Sequence, residues 1–126
     1  MVALIGAGQF GETFIRQCRR ISGMQISLVC DLQPERARAA LLAAGYDNSA
    51  FVSVGSNEEA ATAFNNGQII ITADYHLITG LALDCVVEAT GSPEAAAQVG
   101  QITLMSGFHL VMITKEADIV VGPYLH

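Results

Sequence analysis

A chain of 126 residues with 52% apolar and 14% charged residues can bury one core but not two, and lies far from the composition of a disordered segment. Its net charge of -6 excludes a broad basic face for nucleic acid, although five of its six basic residues (Arg16, Arg19, Arg20, Arg36, Arg38) share one stretch that suits a single anion. Cys18, Cys30 and Cys85 show neither CxxC nor a Cys/His metal spacing, so reduced core thiols in a reducing cytosol, and no metal, are expected.

No apolar run reaches the ~18 residues of a membrane span. Met1 leads straight into a strand pattern without the basic region of a signal peptide, so a soluble, cytoplasmic domain is expected. "VALI" (2–5) is a short apolar run that stops at glycine, as a strand covered on both faces does. Phe10, Phe14, Ile15, Cys18 and Ile21 then recur at helical spacing, with Arg16, Arg19 and Arg20 left for the other face and Ser22-Gly23 as the stop. "ISLVC" (26–30) reads as a second strand ending at Asp31. Pro34 opens the next helix and Gly45 closes it. Residues 46–55 are open between a short strand, "AFVSV", and an ordered loop.

Ser56 and Glu59 have the spacing of a capping box, which starts a helix running to about Asn66 and stopped by Gly67. "IIIT" (69–72), "DCVVEA" (84–89) and "HLVMIT" (109–114) read as three more strands. Ser92-Pro93 starts a helix to about Ser106, stopped by Gly107, with Gly100 as its weak point. Strands alternating with helices, and no hairpin dipeptides between them, predict right-handed crossovers and a single-domain, doubly wound parallel α/β sheet.

Three glycines crowd the first turn, and each costs roughly 0.5–1 kcal/mol against alanine inside regular structure. Gly6-Ala7-Gly8-Gln9-Phe10-Gly11 fits G-x-G-x-x-G with a strand before and a helix after, the Rossmann-like context in which that motif binds a dinucleotide. Gly6 makes the tight turn, Gly8 leaves room for a pyrophosphate, and Gly11 lets the helix approach the strand. The helix N-terminus offers free N–H groups and the positive end of its dipole. Asp31, at the end of the second strand, is placed to accept from the adenosine ribose hydroxyls, which favours NAD. Arg36 and Arg38 follow closely enough to neutralise a 2′-phosphate, which favours NADP, so the cofactor is NAD or NADP.

Ligands of open α/β sheets bind beyond the carboxyl ends of the strands. There "EATGSP" (88–93) brings Ala89, Thr90 and Gly91 to the cofactor ribose, with Ser92 available to cap the following helix. Lys115, the only lysine, follows the last strand. Near a reacting carbonyl its ammonium stabilises developing alkoxide charge or moves a proton; a solvated lysine at a strand end is the alternative. His76 and His109 flank apolar segments and read as surface or hydrogen-bonded residues, and His126 is the last residue.

"VVEATGSPE" and "HLVMITKEADIVVGPYL", with "GAGQFG" and "DLQPERARAA", resemble the homoserine-dehydrogenase-like family of NAD(P)-dependent oxidoreductases, in the branch where this domain precedes a SAF domain and which includes deoxyxylulose-phosphate-reductoisomerase-like enzymes. The resemblance covers nearly the whole chain and is least specific over 46–66. It implies that Thr90 and Gly91 touch the cofactor ribose and that Lys115 is catalytic, lying at the nicotinamide and the substrate. It also implies a longer, homo-oligomeric enzyme in which residues beyond "GPYLH" bind the small-molecule carbonyl or hydroxy substrate, with this chain holding the dinucleotide and inactive alone. No nucleic-acid or membrane partner is expected. A second reading is a regulatory nucleotide-sensing module such as those that gate potassium transport, similar in length, glycine motif and "ADIVV.P" ending. Against it, Thr72-Ala73-Asp74 stands where those modules carry a "GDA"-type turn.

Overall fold

The computed structural model describes residues 1–114. Its strands are β1 (Val2–Ile5), β2 (Ile26–Cys30), β3 (Phe51–Ser53), β4 (Ile69–Thr72), β5 (Cys85–Glu88) and β6 (His109–Met112). Its helices are α1 (Gln9–Arg20), α2 (Pro34–Ala43), α3 (Asn57–Asn65) and α4 (Pro93–Met105). All six strands run parallel in one sheet of order β3-β4-β2-β1-β5-β6.

Every residue of β1, β2 and β4 is buried because successive side chains enter opposite cores. Val2, Leu4, Val29, Ile71 and Val87 face the layer that carries Ile15 and Cys18 of α1 and Ala37, Ala40 and Leu41 of α2. Ala3, Ile5, Leu28, Ile70 and Val86 face the opposite layer, with Ala60 and Ala63 of α3 and Val99 of α4. The winding explains this division. Passing from β1 to β2 to β3 moves the chain towards one edge of the sheet, and from β3 through β4 and β5 to β6 towards the other. Right-handed crossovers therefore put α1 and α2 on one face, α3 and α4 on the other. The sheet is doubly wound, as its alternating pattern predicts.

Residues 46–55 resolve as a 3-10 turn at Asn48–Ala50 followed by β3, the edge strand against β4. Only Phe51 of β3 is buried, and so short a strand has little apolar signature. In α1 the buried stripe is Gly11, Ile15 and Cys18. Phe10 and Ile21, expected on the same face, flank that stripe and are 45% and 51% exposed. Glu59 completes its cap one residue early: Ser56 Oγ accepts the Glu59 N–H at 3.2 Å, and the Glu59 carboxylate takes the Gly55 N–H at 3.4 Å. α4 passes unbroken through Gly100, which is buried.

Strand β5 leaves out Asp84 and Ala89 of "DCVVEA", and β6 leaves out Ile113 and Thr114 of "HLVMIT". Between β4 and β5 lies a 3-10 turn, Tyr75–Gly80, whose buried Leu77 and Ile78 the sequence pattern did not announce. Cys18, Cys30 and Cys85 are free thiols, the first two buried. Among the described residues no helix is long and apolar enough to cross a membrane.

Candidate functional site

The chain leaves β1 for β2 on one side and reaches β5 on the other, so the two halves of the sheet part beyond the carboxyl ends of β1 and β5. Such a switch point opens a crevice. Gly6 sits there with φ +106°, and a Cβ on it would lie 2.4 Å from the Ala89 carbonyl oxygen. A Cβ on Gly11 would lie 2.3 Å from the carbonyl oxygen of Gly6. Both glycines are therefore demanded by contacts within the protein. Gly8 is not: its φ is -74°, and a Cβ there would meet only the guanidinium of Arg36, at 3.2 Å. Its missing side chain leaves a cradle open above the start of α1. Gly8 gives α1 no side-chain cap, whereas Ser56 and Ser92 cap α3 and α4. The first N–H groups of α1 thus face the cradle with the helix dipole behind them.

Asp31 is buried at the end of β2, and each of its oxygens accepts one backbone N–H, Ala7 at 2.8 Å and Gln33 at 2.9 Å. A carboxylate has about four acceptor positions, so each oxygen keeps one for another donor. Ala7, expected among the ligand contacts, is buried with its N–H committed to Asp31; it braces the turn. Gln9 and Phe10 are exposed at the start of α1, with Phe10 stacked on Phe14 at 6.3 Å between centroids. The basic stretch does not converge on one anion. Arg16 pairs with Glu12, Arg19 lies over the Tyr46 ring, and Arg38 lies over Phe51 near Glu35. Arg36 alone of the five lines the crevice.

On the far wall the loop after β5 meets the loop after β6. Glu88 is completely buried and accepts from Thr90 N–H (2.8 Å) and Thr90 Oγ1 (2.7 Å) on one side, and from Thr114 Oγ1 (2.7 Å) and Thr114 N–H (3.2 Å) on the other. Thr114 Oγ1 in turn accepts the Gly91 N–H at 3.1 Å. Gly91 turns with φ +74°, and Ser92 Oγ caps α4 through the Ala95 N–H. Sequence reasoning placed Glu88 in this loop without a role. The available signal was a carboxylate inside a run of strand residues, where a charge must find partners.

These walls enclose a crevice of about 260 Å³, lined from four strand ends by Gly6, Asp31, Arg36, Tyr75 and Thr90 among others. A larger, shallower groove of about 390 Å³ beside β3 carries Glu58 and Glu59 and no basic side chain, so it repels phosphate. Of the residues singled out in the sequence, Gly6, Gly8, Gly11, Asp31, Arg36, Ala89, Thr90 and Gly91 come together around the switch point. Lys115 lies outside the described residues.

A doubly wound parallel sheet, a glycine turn with an open cradle on a helix N-terminus, and an acidic residue ending the neighbouring strand define a nicotinamide-dinucleotide-binding domain of the Rossmann type. The residues present fit that group. The chain belongs to the family described as NADP oxidoreductase, coenzyme F420-dependent, whose model matches residues 1–82. That span runs from β1 into the turn after Leu81 and includes Asp31 and Arg36, but not Glu88, Thr90 or Gly91. No individual curated protein matches the chain.

Proposed function

We propose that this domain holds NADP for an oxidoreductase acting on a small carbonyl or hydroxy compound, with the pyrophosphate over Gly8 and the nicotinamide towards Thr90 and Gly91. The observation that carries the reading is the contrast among the three glycines. Protein contacts account for Gly6 and Gly11, whereas a Cβ on Gly8 would meet only the end of Arg36, which supports a ligand at that position. The free lone pairs of Asp31 take the adenosine ribose. Arg36, the one basic side chain lining the crevice among the described residues, meets the 2′-phosphate, and the family's NADP character supports that choice.

When bound, the dinucleotide supplies or takes up the hydride. Lys115 holds the substrate oxygen that gains charge, a role supported by the resemblance of "KEADIVVGP" to the homoserine-dehydrogenase-like branch. The same resemblance supports a homo-oligomeric enzyme of the branch with a SAF domain, in which a further region binds the substrate. Titrating the chain with NADPH and NADH, followed by nicotinamide fluorescence, tests the reading. Saturable binding of NADPH is expected, and failure of both to bind would overturn it. In the full-length enzyme, Lys115→Ala should lower kcat by ~10²–10³ at unchanged dinucleotide affinity. Wild-type turnover would return Lys115 to the solvent.

A further inference from the structure

Glu88 is a fully buried carboxylate in a strand that otherwise carries apolar residues or cysteine, and its position is filled without regard to the hydrophobic pattern. A leucine or valine there would extend the core that holds Val86, two residues before it on the same face, so the acid is explained by what it accepts. Its four donors come from two residues only, Thr90 after β5 and Thr114 after β6. Thr90 lines the crevice, and Thr114, in the loop after β6, stands behind that wall and holds it through the Gly91 N–H.

Both threonine hydroxyls donate to the same oxygen, Glu88 Oε2, at 2.7 Å. The Thr114 oxygen is thereby turned to receive the Gly91 N–H. Gly91, Thr114 and Glu88 thus form one relay running from the glycine turn of one loop, through the side chain of the other, to the end of β5. A further backbone bond, Ile113 N–H to the Glu88 carbonyl at 2.9 Å, ties the second loop to the same residue.

We propose that Glu88 is a positioning residue that clasps the β5 and β6 loops together and so sets the nicotinamide half of the dinucleotide pocket, while the adenosine half, built on Gly8, Asp31 and Arg36, is independent of it. The proposal rests on the reading that this crevice takes a nicotinamide dinucleotide. Glu88 touches no ligand; it acts through Thr90, Gly91 and Thr114. Replacing it by glutamine places an NH2 group among converging donors. With the amide oxygen at the position that takes three of them, the NH2 opposes the Thr114 N–H and releases the second loop.

The test compares the full dinucleotide with its adenosine half. NADPH and 2′,5′-ADP, or NADH and ADP if NADH binds more tightly, are titrated calorimetrically against wild type, Glu88→Gln, Thr114→Val and Thr114→Ser. Glu88→Gln and Thr114→Val should weaken the dinucleotide by about 10-fold or more, as misplacement of a positioning group does. The adenosine half should bind as to wild type, and Thr114→Ser, which keeps the hydroxyl, should restore the dinucleotide. Equal weakening of both ligands, or no change in either, would overturn the clasp and leave the dinucleotide reading standing. If Glu88→Gln fails to fold, the Thr114 pair decides alone, since valine and serine differ at the hydroxyl that links Gly91 to Glu88. Wild type binding neither ligand would overturn the dinucleotide reading, and the clasp with it.

Discussion

Asp31 Oδ2 accepts the backbone N–H of Ala7 at 2.8 Å, so the acid that ends β2 braces the glycine turn that ends β1. The same carboxylate holds the Gln33 N–H with its other oxygen, and both bonds are drawn from parts of the chain that face the crevice. Asp31 therefore has a structural duty before any ribose arrives. Its replacement by alanine leaves the buried Ala7 N–H without its acceptor, which costs about 1–3 kcal/mol. Asp31→Ala should melt earlier than wild type by an amount matching that loss, in a thermal denaturation without ligand. An unchanged midpoint would mean that Asp31 serves the ribose alone.

The three glycines of the first turn should separate cleanly on mutation. Gly6→Ala meets both a positive φ and the Ala89 carbonyl, and Gly11→Ala meets the Gly6 carbonyl. Each is expected to cost on the order of 3 kcal/mol by strain and overlap. Gly8→Val meets only the mobile end of Arg36, so its stability should stay within about 1 kcal/mol of wild type, while its bulk fills the pyrophosphate cradle and abolishes dinucleotide binding. Denaturant melts paired with calorimetric titrations check both halves. A Gly8→Val protein that binds as well as wild type would remove the phosphate from this turn.

The parallel sheet and its winding were legible because each buried strand is a short, nearly pure apolar run and each helix carries its own start or stop signal, such as Ser56 with Glu59 or Ser92 with Pro93. Periodicity says less where elements are short. Phe51–Ser53 is too brief to alternate, and the turn at Tyr75–Gly80 buries only neighbouring Leu77 and Ile78. The site shows the same division. A motif at fixed spacing points to Gly6, Gly8, Gly11 and Asp31. No spacing could reveal that Arg38 turns to Phe51 while Arg36 enters the crevice, nor that Glu88, beside Thr90, also holds Thr114, 26 residues further along the chain, because those depend on where separate loops meet.

Cys30, at the end of β2, gives the fold an alkaline limit. Burial, with the nearby charges of Asp31 and Asp74 adding to it, pushes its thiol from 9.0 up to about 12. The unfolded chain releases this proton near 9.0 and the folded chain holds it to about 12, so stability is fully present below the lower value and falls as pH rises between the two. Cys18 and Cys85 are raised by burial as well and act in the same direction. Cys30→Ala should flatten the decline measured by denaturant unfolding from pH 8 upwards, whatever its offset at neutral pH. An equally steep decline in the variant would assign the limit to other groups.

Arg36 offers the sharpest distinction between the two cofactors. Its guanidinium lies beside Gly8 and lines the same crevice as Asp31, while Arg38 is held against Phe51 and Glu35. A guanidinium at this place has two possible anions to meet. If it meets the 2′-phosphate, Arg36→Gln removes a charge-assisted bond made only by NADPH, worth about 1.5–3 kcal/mol, and NADPH affinity falls by about 10- to 100-fold while NADH affinity holds. If it meets the pyrophosphate, which both cofactors share, the two affinities fall together. The first outcome is expected, and direct titration of both cofactors against wild type and variant reads it. A parallel loss would move Arg36 to the pyrophosphate and leave the 2′-phosphate without a basic partner in the crevice among the described residues, which would favour NAD, because the two remaining lone pairs of Asp31 then face a free 2′-hydroxyl.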